Sequence, residues 1–131
     1  MDVKNIKFRA KRLDNGEWCE GYFYKENGNT YIIENRQKES MLNQNVTHQV
    51  DPSTVCQFTG SQDCEETPIY EHDLLRHEKT CSTYEVVWNQ GNTSFSLINT
   101  EDPVLYPSNT FGRMLHNRRL KVIGNIFYKE K

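Results

Sequence analysis

Residues 6–33 read Ile6-Lys7-Phe8-Arg9-Ala10-Lys11-Arg12-Leu13-Asp14-Asn15-Gly16-Glu17-Trp18-Cys19-Glu20-Gly21-Tyr22-Phe23-Tyr24-Lys25-Glu26-Asn27-Gly28-Asn29-Thr30-Tyr31-Ile32-Ile33, and they decide the fold class. Ile6, Phe8 and Ala10 alternate with Lys7, Arg9 and Lys11, a period of two that marks a strand with one buried face. Asp14-Asn15-Gly16 then supplies turn chemistry, because Asn and Gly tolerate positive φ. Trp18 to Tyr24 is a second strand-like run, Glu26-Asn27-Gly28-Asn29 a second turn, and Tyr31-Ile32-Ile33 a third run. Residues 4–34 therefore predict a three-stranded antiparallel meander.

Beyond this stretch, residues 35–53 are polar and aperiodic and end at Asp51-Pro52-Ser53. They read as a connector, with at most one helical turn around Ser40–Gln44. From Thr54 the β character returns. Ile69–Arg76 reads as one strand. Tyr84, Val86 and Trp88 alternate with Glu85 and Val87, residues 89–92 turn, and Phe95 and Leu97 alternate with Ser94 and Ser96, which predicts a hairpin. Pro103 and Pro107 break regular structure over residues 99–117. There Ser108 either caps a short helix through Leu115, with Phe111, Met114 and Leu115 inward, or the segment is an ordered loop. Lys121–Tyr128 reads as a last strand. The expected fold is all-β, with an N-terminal β sub-domain and its connector over residues 1–53 and a second β domain over residues 54–131.

The chain has 131 residues, of which 35% are hydrophobic, enough for one ordinary core or two small ones. That inventory is aromatic and β-branched, which suits pleated surfaces. The opening Met1–Asp14 has no apolar h-region, which argues against a secretory signal. No apolar run approaches the ~20 residues that cross a bilayer. Cys19, Cys56, Cys64 and Cys81 then read as four reduced thiols in a cytoplasm. The formal net charge is −2, so the overall field does not favour nucleic acid. Charge is uneven, however. Lys4, Lys7, Arg9, Lys11 and Arg12 form a basic stretch, as do Arg113, Arg118, Arg119 and Lys121. Between them lie Asp63, Glu65, Glu66, Glu71, Asp73 and Glu78. The plainer account is a set of solvated faces attracting each other; the sharper one is a nucleic-acid patch.

Three segments together resemble the YopX family: Ile6–Ala10; Thr54-Val55-Cys56-Gln57-Phe58-Thr59-Gly60 followed by Asp63 and Ile69-Tyr70-Glu71-His72-Asp73; and Val122–Phe127. The resemblance implies an all-β protein whose C-terminal part is an SH3-like barrel or roll, encoded by a phage, prophage or related element of a bacterial host. It marks Thr59, Gly60, Asp63, Tyr70, Glu71 and Asp73 as a structural motif and implies no activity and no cofactor. Three departures stand out. His72 occupies the place of a usual Gly, Cys64–Pro68 replaces an Asn-Gly turn, and Cys56 stands where Gly is frequent.

The sharpest metal candidate is Cys64, His72, His77 and Cys81, compact enough for tetrahedral zinc ligation but without a Cys-x-x-Cys knuckle. On one strand, His72 and His77 would also face opposite ways. Their plain reading is surface histidines and small thiols. Glu71 and Asp73 would share a strand face with Asp63 near, a set suited to acid–base work or a hard cation. The duller account, which the motif favours, is an Asp73 that accepts turn N–H groups. No Cys is paired by sequence with a particular His, and no phosphate loop, HExxH or GxSxG pattern occurs. An enzyme is therefore not expected. The aromatics Trp18, Tyr22, Tyr24, Tyr31, Tyr70, Tyr84 and Trp88 supply mostly core, with a few left as anchors for a protein partner, from host or phage or a second copy of the chain. The alternative is a nucleic-acid module using the basic stretches, whose affinity would fall steeply with salt.

Overall fold

The computed structural model describes residues 5–35, 45–91, 93–102, 111 and 119–128. The expected helical turn at Ser40–Gln44 lies outside them, as does the Ser108–Leu115 segment except for Phe111. The chain divides into two compact units, residues 1–58 and 59–131.

In the first unit the meander forms as the alternation predicts: β1 (Phe8–Lys11), β2 (Trp18–Glu26) and β3 (Asn29–Asn35). Ala10 pairs with Cys19 and Phe23 with Ile32, so these side chains share one face. A fourth strand, β4 (Asn45–Val50), corrects the expectation of a plain connector. Its apolar positions are only Val46 and Val50, too few to register as a period. Six rungs to β3 decide it, with His48 opposite Ile32 and Val50 opposite Thr30. A 3-10 turn at Pro52–Thr54 follows. Asp51 Oδ1 accepts the Ser53 N–H at 3.0 Å, and Thr54 Oγ1 accepts the Lys11 N–H at 2.9 Å. β5 (Cys56–Gln62) then pairs antiparallel with the start of β1, giving the order β4-β3-β2-β1-β5. The end of β1 turns back onto β4 through an Arg12–Val50 bridge and bonds from Leu13 N–H to Gln49 O and Asp51 N–H to Lys11 O. Inside this curl Ala10, Cys19, Ile32 and Val50 are buried, with Phe8 and Val55 against them. Gly21 permits the curl, since a Cβ there would stand 2.0 Å from Ile33 O.

β5 runs on into the second unit, where β6 (Pro68–Tyr70) lies beside it. β7 (Asp73–His77), β8 (Thr83–Asn89), β9 (Ser94–Asn99) and β10 (Leu120–Asn125) form a second antiparallel sheet, ordered β10-β7-β8-β9. The predicted hairpin is β8–β9, with Val86 opposite Leu97 and both fully buried. Ile69, Leu75, Tyr84, Val86, Leu97, Phe111 and Leu120 make the core, with Phe95 and Val122 packed on it. Each fully buried Leu or Val there contributes about 1.5–3 kcal/mol from apolar burial. Phe111 is buried, as the helical alternative for its segment has it.

Three expectations are corrected. Ile69–Arg76 is not one strand, because the chain turns at Glu71 and His72 between β6 and β7. The last strand stops at Asn125, after a bulge between Val122 and Gly124, and Ile126–Tyr128 is a 3-10 turn. β7–β10 of the second unit form an open sheet with β9 and β10 at its edges, so the expected C-terminal barrel is not closed among the described residues.

Candidate functional site

The motif marked by sequence gathers at the turns that join β5, β6 and β7. Thr59 Oγ1 donates to Ile69 O at 2.8 Å and accepts the Ser61 N–H at 3.2 Å. Gly60 has φ +88°, a conformation that a residue with a Cβ resists. Asp63 closes the β5–β6 turn. Its Oδ1 accepts the N–H groups of Glu65 (2.8 Å) and Thr67 (2.9 Å), and its Oδ2 accepts that of Val122 on β10 at 2.9 Å. Burial pushes this carboxyl up, but the bonds from Val122, Thr67 and Glu65 and the charge of Lys121 outweigh it. Together they hold it below the ordinary carboxylate value.

Asp73 opens β7 with only 1% of its surface exposed. Its Oδ2 accepts the Tyr70 N–H at 2.8 Å, so it spans the turn that splits β6 from β7. Asp73 therefore binds a main-chain donor, as the duller reading of the sequence has it, and Asp63 binds main-chain donors as well, a role the sequence reading did not assign to it. The expectation that Glu71 and Asp73 share a strand face is corrected, because Glu71 lies in the turn and Asp73 points into the core.

His72 sits at the tip of that turn with φ +71°, which explains physically why glycine suits this place. Its backbone is held on both sides: the N–H donates to Val86 O at 2.7 Å, and its carbonyl accepts the Ile126 N–H at 3.2 Å. The ring, partly exposed, has Nδ1 3.0 Å from Glu85 Oε2 and Nε2 3.7 Å from Glu71 Oε2. Phe127 meets it edge-on at 5.9 Å. Glu66, in the stretch that replaces the Asn-Gly turn, likewise takes a positive φ of 67°. Sequence reasoning missed Glu85 as the partner of His72. Its place between inward Tyr84 and Val86 marks it as outward-facing and no more.

The four metal candidates are dispersed by their local bonds. His77 Nδ1 accepts the N–H groups of Lys79 and Thr80, which occupies that nitrogen. Cys64 and Cys81 are exposed thiols in separate turns, and Cys19 and Cys56 are buried. Among the described residues no three His, Cys, Asp or Glu side chains are grouped to hold a metal ion. The argument from opposite strand faces also falls, since His72 is not on a strand. Cys56, at the family's frequent Gly, donates its Sγ–H to Thr54 O at 3.2 Å. Burial raises the Cys19 thiol to about 11, helped by the charge of Glu34, a poor setting for a nucleophile.

Of the charged stretches, Lys4, Arg113 and Arg118 lie outside the described residues, and several of the rest form pairs. Lys7 meets Glu20, Arg12 meets Asp14, Arg119 meets Glu78 and Lys121 meets Glu65. Arg9 and Lys11 lie over the Trp18 ring, and Lys7 over Phe58. By contrast, several large apolar side chains meet solvent. Tyr22 is 48% exposed and Trp88 43%. Tyr22, Tyr24 and Tyr31 share one face of β2–β3, with Tyr24 stacked on Tyr31 at 5.0 Å. Trp88 stands edge-on against Phe95 at the end of β8–β9.

Among known families, the model described as YopX protein matches residues 7–130. No curated protein matches the chain. Among the described residues no helix is long and apolar enough to cross a membrane.

Proposed function

The chain belongs to the YopX family, and from that premise we propose that it is a phage- or prophage-encoded accessory protein that works by protein–protein contact, without catalysis, in the host cytoplasm. The observation that carries this reading is the tyrosine row of β2–β3, with Tyr22 exposed while Lys7 and Arg12 of the basic stretch pair with Glu20 and Asp14. Tyrosine presents large contact area with few rotors and a polar tip, which is why it anchors interfaces. Enzymatic chemistry finds little support: the two motif aspartates accept main-chain N–H groups, and the Cys19 thiol is raised. The family resemblance attached the SH3-like part to the C-terminal region; we propose it for the first unit instead. It rests on the strand order β4-β3-β2-β1-β5, on the 3-10 turn before β5 and on the return of β1 to β4.

The test is an affinity capture from host lysate with and without nuclease, repeated at high salt and with Tyr22→Glu. Capture that survives nuclease and salt and is lost in the variant supports the reading. Capture abolished by nuclease, with a steep salt dependence, replaces it with nucleic-acid binding.

A further inference from the structure

The chain contains two asparagine–glycine pairs, Asn15-Gly16 and Asn27-Gly28, both in exposed turns. Such a pair can modify itself. The glycine backbone nitrogen loses its proton and attacks the asparagine side-chain carbon, forming a ring C–N bond. The side-chain nitrogen leaves as ammonia. Water then opens the succinimide at either carbonyl, giving aspartate or isoaspartate. Glycine favours the step because no Cβ obstructs the approach. Two structural conditions govern it: the glycine N–H must not be held by an acceptor, and the asparagine side chain must be able to rotate.

Asn15-Gly16 fails both. The Gly16 N–H donates to Arg12 O at 3.0 Å. Asn15 Oδ1 accepts the Glu17 N–H at 2.9 Å, and Arg12 N–H closes the loop onto Glu17 O at 2.9 Å. Asn27-Gly28 meets both. It is the two-residue tip between the last rung of β2–β3, Glu26 opposite Asn29. Among the described residues neither the Asn27 side chain nor the Gly28 N–H makes a hydrogen bond. Nothing lies within 4 Å of the place a Gly28 Cβ would occupy. Terminal rungs are also where a hairpin opens most readily.

We propose that Asn27-Gly28 is a self-modifying site that converts to aspartate and isoaspartate, while the folded loop protects Asn15-Gly16. Conversion adds a negative charge beside Glu26. The isoaspartate form also inserts an extra backbone carbon into a two-residue turn, which shifts the rungs below it, including the Tyr24–Tyr31 stack. The inference is independent of the proposed function, though it places the modification next to the tyrosine row.

The experiment incubates the full chain at mildly alkaline pH and maps peptides by mass spectrometry, scoring the one-unit mass gain and the isoaspartate retention shift at each site. A parallel sample is unfolded in guanidinium. In the unfolded chain both pairs convert at similar rates. In the folded chain Asn27 converts faster than Asn15 by about tenfold or more, the scale set by the two hydrogen bonds that must first break at Asn15-Gly16. Equal or faster conversion at Asn15 in the folded chain overturns the proposal. So does no conversion at Asn27 over a time in which the unfolded chain converts at both.

Discussion

Replacing Asp63 by alanine removes the acceptor of three N–H groups at once, two in its own turn and one 59 residues away on β10. An unpaired buried donor costs about 1–3 kcal/mol. Glu65 and Thr67 are both exposed, so water replaces part of the loss in the turn, the half-buried Val122 donor dominates, and the expected total is about 2–3 kcal/mol. For a chain of this length that lowers Tm by roughly 10 °C. Asp63→Asn separates the parts. Its amide oxygen retains the Glu65 and Thr67 bonds, while its amide nitrogen confronts the Val122 N–H, so only the long-range bond is lost, at about 1–2 kcal/mol. Thermal melts and urea titrations of the three proteins should therefore rank wild type, Asn, Ala. The pH dependence has a fixed sign. The folded-state value lies below the unfolded one, so the stabilisation is complete above the unfolded value near 3.8 and is lost as pH falls through the folded value. Acid titration of stability should consequently flatten in Asp63→Ala below about pH 4. An alanine variant melting within a degree or two of wild type would refute the view of Asp63 as the clasp between the β5–β6 turn and β10.

Four further outcomes follow from the same geometry. Asp73→Ala should lower Tm clearly, by the equivalent of about 1–3 kcal/mol for the buried Tyr70 donor, while Glu71→Ala, partly exposed in the turn, should change it little; an Asp73 variant as stable as wild type would reopen the case for a functional carboxylate. Gly21→Ala should abolish or severely weaken folding of the first unit, since its Cβ meets the Ile33 backbone at 2.0 Å; a normal far-UV spectrum and melt would contradict the register. In a thiol titration of the native protein Cys64 and Cys81 should react promptly and Cys19 only after unfolding, so labelling of Cys19 at the rate of Cys64 would count against its buried setting. His72→Gly relieves about 1 kcal/mol of left-handed strain but loses the Glu85 contact, so stability should move by less than about 1 kcal/mol, and a large loss by urea titration would make His72 a structural keystone.

Alternation of Phe8 and Ala10 with Lys7 and Arg9, and of Tyr84 and Val86 with Glu85, was enough to place the meander and the hairpin. Side chains on a strand alternate faces, and a half-buried sheet writes that period into its residues. Asp73 was legible in kind, since a short carboxylate beside a turn finds main-chain donors. What the sequence could not carry depends on partners far along the chain. β4 has only Val46 and Val50 as apolar residues and exists because β3 offers it six rungs. The break at His72 is held by Val86 and Ile126, the ring by Glu85, and the second oxygen of Asp63 by Val122. The placement of the curled sheet in the first unit also came from tertiary structure, because it depends on the Arg12–Val50 bridge between segments 38 residues apart. Local composition determines which face of a strand is buried and where the chain turns; which strand lies alongside which is decided by hydrogen bonds and packing that form only when distant segments meet.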